Sequence, residues 1–145
     1  MDGDRARTAV DAETYVALQR FYADEAALLD ANAYVEWFGI FTDDIHYRIL
    51  TPVSRARDHG AVEHAIVDEL AEGLHLRVRQ LDSPKLTIAE NPGSLHRRFV
   101  ANLRADLGDR AGAIAATTNL LVYRNRPATD TVDLYAAERI DAVSV

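Results

Sequence analysis

Residues 25–49 read EAALLDANAYVEWFGIFTDDIHYRI, and the hydrophobic period changes once inside them. As far as Phe41 the apolar side chains recur at steps of three and four. Leu29 closes a run that begins at Tyr15, Leu18, Tyr22 and Ala26, and Tyr34, Trp37, Phe38 and Phe41 make a second run. That spacing is one face of a helix. From Asp44 the step becomes two: Ile45, Tyr47 and Ile49 alternate with His46 and Arg48, the pattern of a half-buried strand. Two helices are therefore expected over 11–29 and 31–41, with Asp11 and Asp30 as their N-caps. Asp43 and Asp44 sit at the helix-to-strand junction, where neighbouring side chains point apart, so they read as a solvated turn rather than a shared acid–base pair.

Downstream, Thr51 and Pro52 end the strand, and the charged stretch SRARDHG leads to a third helix expected over 61–73. Val62, Ile66 and Leu70 would share its buried face, and Gly73 would stop it. LHLRVRQL, residues 74–81, sets Leu74, Leu76 and Val78 against His75, Arg77 and Arg79 and reads as a strand. SLHRRFVANLRADL (94–107) and AIAATTNLLVYRNR (113–126) are long strands joined by the hairpin loop GDRAG, and VDLYAAERIDAVSV (132–145) follows RPATD as the last. Helices first and an antiparallel meander afterwards is the α+β pattern.

A chain of 145 residues, 48% hydrophobic and without repeats, is expected to be a single domain over 1–145 with residues 1–10 as a polar, flexible leader. No apolar run approaches the roughly 20 residues of a membrane helix, and the first ten residues carry no apolar signal core, so a soluble cytoplasmic protein is expected. There is no cysteine, which excludes disulfides, thiolate nucleophiles, iron–sulfur clusters and Cys-ligated zinc within this chain. The net charge of −7 repels a phosphate backbone, and the basic cluster His96-Arg97-Arg98 has no aromatic platform around it. Nucleic acid is not an expected partner.

No phosphate-binding glycine loop, dinucleotide fingerprint or nucleophile elbow is present. His59, Glu63 and His64 offer only one i, i+4 pair on a helical face, and no His is followed two residues later by Asp or Glu, so no metal site is expected. Asp30, between two apolar helices, is either an N-cap or a desolvated general base. Tyr47 lies on the apolar face of the first strand, as a core ring or a ligand-binding phenol. Arg98 and Asn102 share one strand face and Arg97, Phe99 and Ala101 the other, and alternation alone leaves open which is inside. Tyr22, Tyr34, Trp37, Phe38, Phe41 and Asn102 are the expected lining of the core or of a pocket.

Read together, EAALLDANAYVEWFGIFTDDIHYRI, LRVRQL, AENPGSLHRRFVANLRA and NLLVYRNR…DLYAAERIDAV resemble the small (β) subunits of Rieske-type aromatic-ring-hydroxylating dioxygenases over most of residues 15–143. The resemblance implies an NTF2-like cone, a strongly curved, mixed but mostly antiparallel sheet with three helices on its concave face. It also implies a subunit without cofactor or catalytic residues. The Rieske 2Fe–2S cluster and the mononuclear iron would belong to a large α subunit, usually three α with three β. Self-association as a trimer or dimer and a small aromatic or polycyclic molecule in the cavity are further expectations. The sequence departs from the family in ILTPVSR, in the position of His96, and in ending at Val145 where the family usually adds a strand pair; an open sheet edge awaiting a partner is expected there. The same cone houses dehydratases, isomerases and polyketide cyclases of the SnoaL and scytalone-dehydratase type. On that alternative Asp30 is the base and Tyr47 the orienting phenol, with His46, His96 or Arg98 assisting. A third reading is a binding module for an apolar ligand.

Overall fold

A computed structural model describes residues 7–53, 62–83 and 94–144. In chain order the elements are α1 (Ala12–Asp30), α2 (Tyr34–Phe38), β1 (His46–Val53), β2 (Val62–Leu70), α3 (Ala71–Asp82), β3 (Leu95–Leu107), β4 (Ala113–Arg126) and β5 (Thr131–Ser144). They form two compact units, residues 1–31 with 90–145 and residues 32–89.

In the first unit, α1 starts where Asp11 accepts the Thr14 N–H at 2.7 Å, the expected cap. Its buried stripe is Leu18, Tyr22 and Glu25, so a carboxylate takes a place that an apolar residue was expected to hold. The helix runs on through Asp30 and ends at Ala31, whose N–H bonds back to Ala27. Asp30 is thus the last residue of α1 rather than the N-cap of the next helix. That next helix, α2, has five residues and is preceded by Ala33 without a side-chain cap.

Strands β3, β4 and β5 form an antiparallel sheet in that order. The β4–β5 register is unbroken from Ala113 opposite Ser144 to Arg126 opposite Thr131. Gly112, at φ 77°, occupies the left-handed position of the loop between β3 and β4. Alternation along β4 buries Ile114, Ala116 and Thr118 on the face that α1 covers, where Leu18, Ala105 and Ile114 make the core. β3 carries one extra residue between Ala101 and Arg104, with Asn102 at φ 55°. Before this bulge the even-numbered residues are the less exposed ones, and after it Leu103 and Ala105 are. Of the expected leader, residues 8–10 are fastened to β3: Leu107 donates to Thr8 and Val10 to Ala105, and Ala9 bridges Asp106.

In the second unit, β1 and β2 pair antiparallel from His46 opposite Leu70 to Val53 opposite Val62, so β1 continues past Thr51 and Pro52. The sequence reading of 61–82 is reversed here. Residues expected as a helix are β2, and those expected as a strand are α3, with Gly73 inside the helix instead of ending it. The reason lies in the spacing: Val62, Ile66 and Leu70 are four apart, which satisfies a period of two as well as one of 3.6. Leu74 and Val78, both buried, are also four apart, while Leu76 between them is exposed as a helix requires. Both sheets are antiparallel, and no parallel pair occurs among the described residues.

Candidate functional site

The inward face of the three-stranded sheet gathers charge. At the end of α1, Asp30 accepts from the Arg98 guanidinium at 2.8 Å and from the Arg98 backbone N–H at 3.2 Å. The pair is largely buried. A carboxylate at a helix C-terminus is opposed by the helix dipole, and the Arg98 cation offsets that. Sequence alternation left the inner face of β3 undecided; the structure turns Arg98 inward with His96, and the bulge takes Asn102 out of phase into solvent. Asn102 therefore lines no core.

Toward the middle of α1 lies a second constellation that sequence reading passed over. Glu25, 3% exposed, receives two hydrogen bonds from Arg139, at 2.8 and 3.0 Å. The same guanidinium reaches Asp141 at 2.9 Å and lies over the Tyr22 ring at 5.1 Å, and the Tyr22 hydroxyl donates to Asp141 at 2.8 Å. Burial opposes the charge on Arg139, but the hydrogen bonds and charge of Glu25, followed by Asp141, more than offset it, and its pKa rises. Burial first, then the Asp141 carboxylate, pushes the Tyr22 hydroxyl up as well, so it stays protonated far into alkaline conditions. Bidentate, planar pairing of this kind fixes α1 on β5. The available signal was a glutamate on the buried stripe of α1 and an arginine and an aspartate two apart on β5.

The second unit holds the aromatic residues. Trp37, Phe41 and Tyr47 meet edge to face, with centroids 4.8 Å apart for Trp37 and Phe41 and 5.7 Å for Trp37 and Tyr47. Phe38 stacks on His75 at 5.1 Å, and the Tyr34 hydroxyl donates to Asn32 at 2.9 Å. Trp37 is buried, and Tyr34, Phe38 and Phe41 are half-buried. Tyr47 packs among these rings, while Asp30 belongs to the other unit. His46 is exposed and pairs with Asp68. Asp43 and Asp44 form the expected turn, where Thr42 bonds to Asp44 at 2.6 Å. His59 lies outside the described residues, and Glu63 and His64 fall on β2, so they share no helical face. Among the described residues no cluster of three or more His, Asp or Glu could hold a metal ion.

The family model described as ring hydroxylating beta subunit matches residues 24–145. The chain belongs to the ring-hydroxylating β-subunit family. Within that family it is 32% identical over 138 residues to the biphenyl 2,3-dioxygenase subunit beta of Rhodococcus jostii RHA1, covering 91% of this chain and 73% of the relative. It is also 32% identical over 133 residues to the benzene 1,2-dioxygenase subunit beta of Pseudomonas putida F1, covering 87% and 70%. Among solved structures, naphthalene 1,2-dioxygenase with indole bound superposes with a TM-score of 0.81 at 22% identity, over 93% of this chain and 72% of that one. This β-subunit-family chain thus has the α+β, NTF2-like fold class that the resemblance implied. No helix among the described residues is long and apolar enough to cross a membrane.

Proposed function

We propose that this chain is the β subunit of a cytoplasmic aromatic-ring-hydroxylating dioxygenase and organises the complex beside a large α subunit that carries the iron chemistry. The observation that carries this reading is the β-subunit family match from residue 24 to residue 145. The donor set agrees: a Rieske cluster takes two cysteines and two histidines, and this chain has no cysteine to offer. The cluster and the mononuclear iron belong, on this reading, to the large subunit. The polar residues of the inner face serve architecture. Asp30 and Glu25 are each held by a guanidinium, and the Tyr22 phenol keeps its proton, so this face ties helix to sheet. Aromatic hydrocarbons are the substrate class, by likeness to relatives named for biphenyl and benzene.

The test is co-expression of the tagged chain with the large subunit encoded beside it. The expected result is a brown complex in which iron and acid-labile sulfide follow the large subunit, with dihydrodiol formation depending on both chains. A large subunit that assembles and turns over fully without this chain would overturn the proposal.

A further inference from the structure

The covered face of β4 carries a buried hydroxyl that needs a partner. Thr118 is 1% exposed, and its Oγ1 makes no hydrogen bond among the described residues. A buried hydroxyl without a partner is destabilising, and native interiors rarely keep one. Two features meet at this point. On one side lies the bulge of β3: Ala101 stands opposite Asn119 and Arg104 opposite Thr117, so Asn102 and Leu103 pass Thr118 without a register partner. The Leu103 carbonyl is taken by the Tyr15 hydroxyl at 2.9 Å. On the other side, Arg139 is directly opposite Thr118 on β5, which sets their Cβ atoms about 5 Å apart on the same face. Of the N–H groups of that guanidinium, Nη1 and Nη2 each give one to Glu25, and Nε lies 2.9 Å from Asp141. A second N–H on each of Nη1 and Nη2 is left over.

We infer that one internal water molecule is bound beneath α1, accepting a hydrogen bond from Arg139 and bonded to the Thr118 hydroxyl. The local charges select a neutral ligand, since Arg139 repels a cation while Glu25 and Asp141 repel an anion. The donor set selects water among neutral ligands: a guanidinium only donates and a hydroxyl does both, so the guest must accept from the first and bond to the second. The Glu25 carboxylate, on the same guanidinium, is a further acceptor within the two to four polar partners that a buried water takes. Room for one molecule arises where Ala116, the next inward residue on β4, presents only a methyl group and where the bulge bends β3. The water carries the guanidinium–carboxylate network of α1 and β5 onto β4, so that three elements share one set of hydrogen bonds. The inference stands apart from the large-subunit reading, because it concerns the interior of this chain alone.

A high-resolution crystal structure of the full chain tests it without any variant. A water within hydrogen-bond distance of both Thr118 Oγ1 and an Arg139 Nη is expected, and a dry, well-ordered site would overturn the inference. The sign of one substitution tests it again, because Thr118→Val keeps the shape of the side chain and removes the hydroxyl. Were the hydroxyl an orphan, the variant would gain stability. With a bound water, Thr118→Val is expected to lower the urea midpoint, since the water loses a partner or departs and leaves a guanidinium N–H unpaired. Oxygen-17 relaxation dispersion is expected to count one fewer long-lived water in the variant than in the wild type. A raised midpoint or an unchanged water count would each overturn the inference.

Discussion

The two faces of the three-stranded sheet invert the ordinary distribution of side chains. The covered face holds Arg98, Arg139 and Asp141 beside its apolar core, and the uncovered face holds Phe99, Leu121, Leu134 and Ile140. A sheet in a free-standing globule buries its apolar face and wets its polar one. The inversion shows two demands met by one strand set. Inside, directional hydrogen bonds between guanidinium and carboxylate fix where α1 lies, and outside, the strands present exposed apolar side chains.

Breaking the inner face should have the largest effect. Arg139→Met takes both guanidinium hydrogen bonds from the buried Glu25 carboxylate, with an expected loss of about 3–5 kcal/mol of unfolding free energy. A urea titration reads it, and adding Glu25→Leu should recover most of the loss, since the buried carboxylate is then gone and the more open Asp141 keeps the Tyr22 hydroxyl. An undiminished midpoint for the single variant would mean that the network contributes nothing. Asp30→Ala removes the partner of Arg98 at a more open site and should cost less, about 1–3 kcal/mol, again measured by urea midpoint. The outer face should barely register in the isolated chain: Leu134→Ser is expected to shift stability by no more than about 0.5 kcal/mol. A larger destabilisation would show that Leu134 is packed into the fold.

Much of the fold was legible, and the reasons are local. Asp11 with Thr14 marks the start of α1, and the long alternations of β3, β4 and β5 around GDRAG and RPATD permit no other reading. Residues 61–82 were misassigned because apolar side chains four apart fit a strand and a helix equally well, and only pairing with β1 decides between them. Asp30 looked like a cap because a carboxylate between two apolar runs has that local signature. Its actual partner, Arg98, is distant in sequence, and no short window contains both. Glu25 and Arg139 escaped notice for the same reason, compounded by the expectation that charged residues face water.

The bulge at Asn102 has a genetic consequence. It resets the phase of β3, so that Arg98 before it and Ala105 after it can both face α1 although their numbers differ in parity. Deleting that one codon would close the bulge, set Leu103 opposite Thr118 and leave Arg98, Val100, Leu103 and Ala105 on one face, whereas deleting Arg104 would send Ala105 to solvent and Asp106 toward the core. A deletion among residues 127–130, in the exposed turn between β4 and β5, carries no such reversal, because it lies outside both strands. Tolerance to insertion and deletion along this chain is therefore set by phase, and within β3 the left-handed asparagine of the bulge is a place where a residue can be lost without turning a face over.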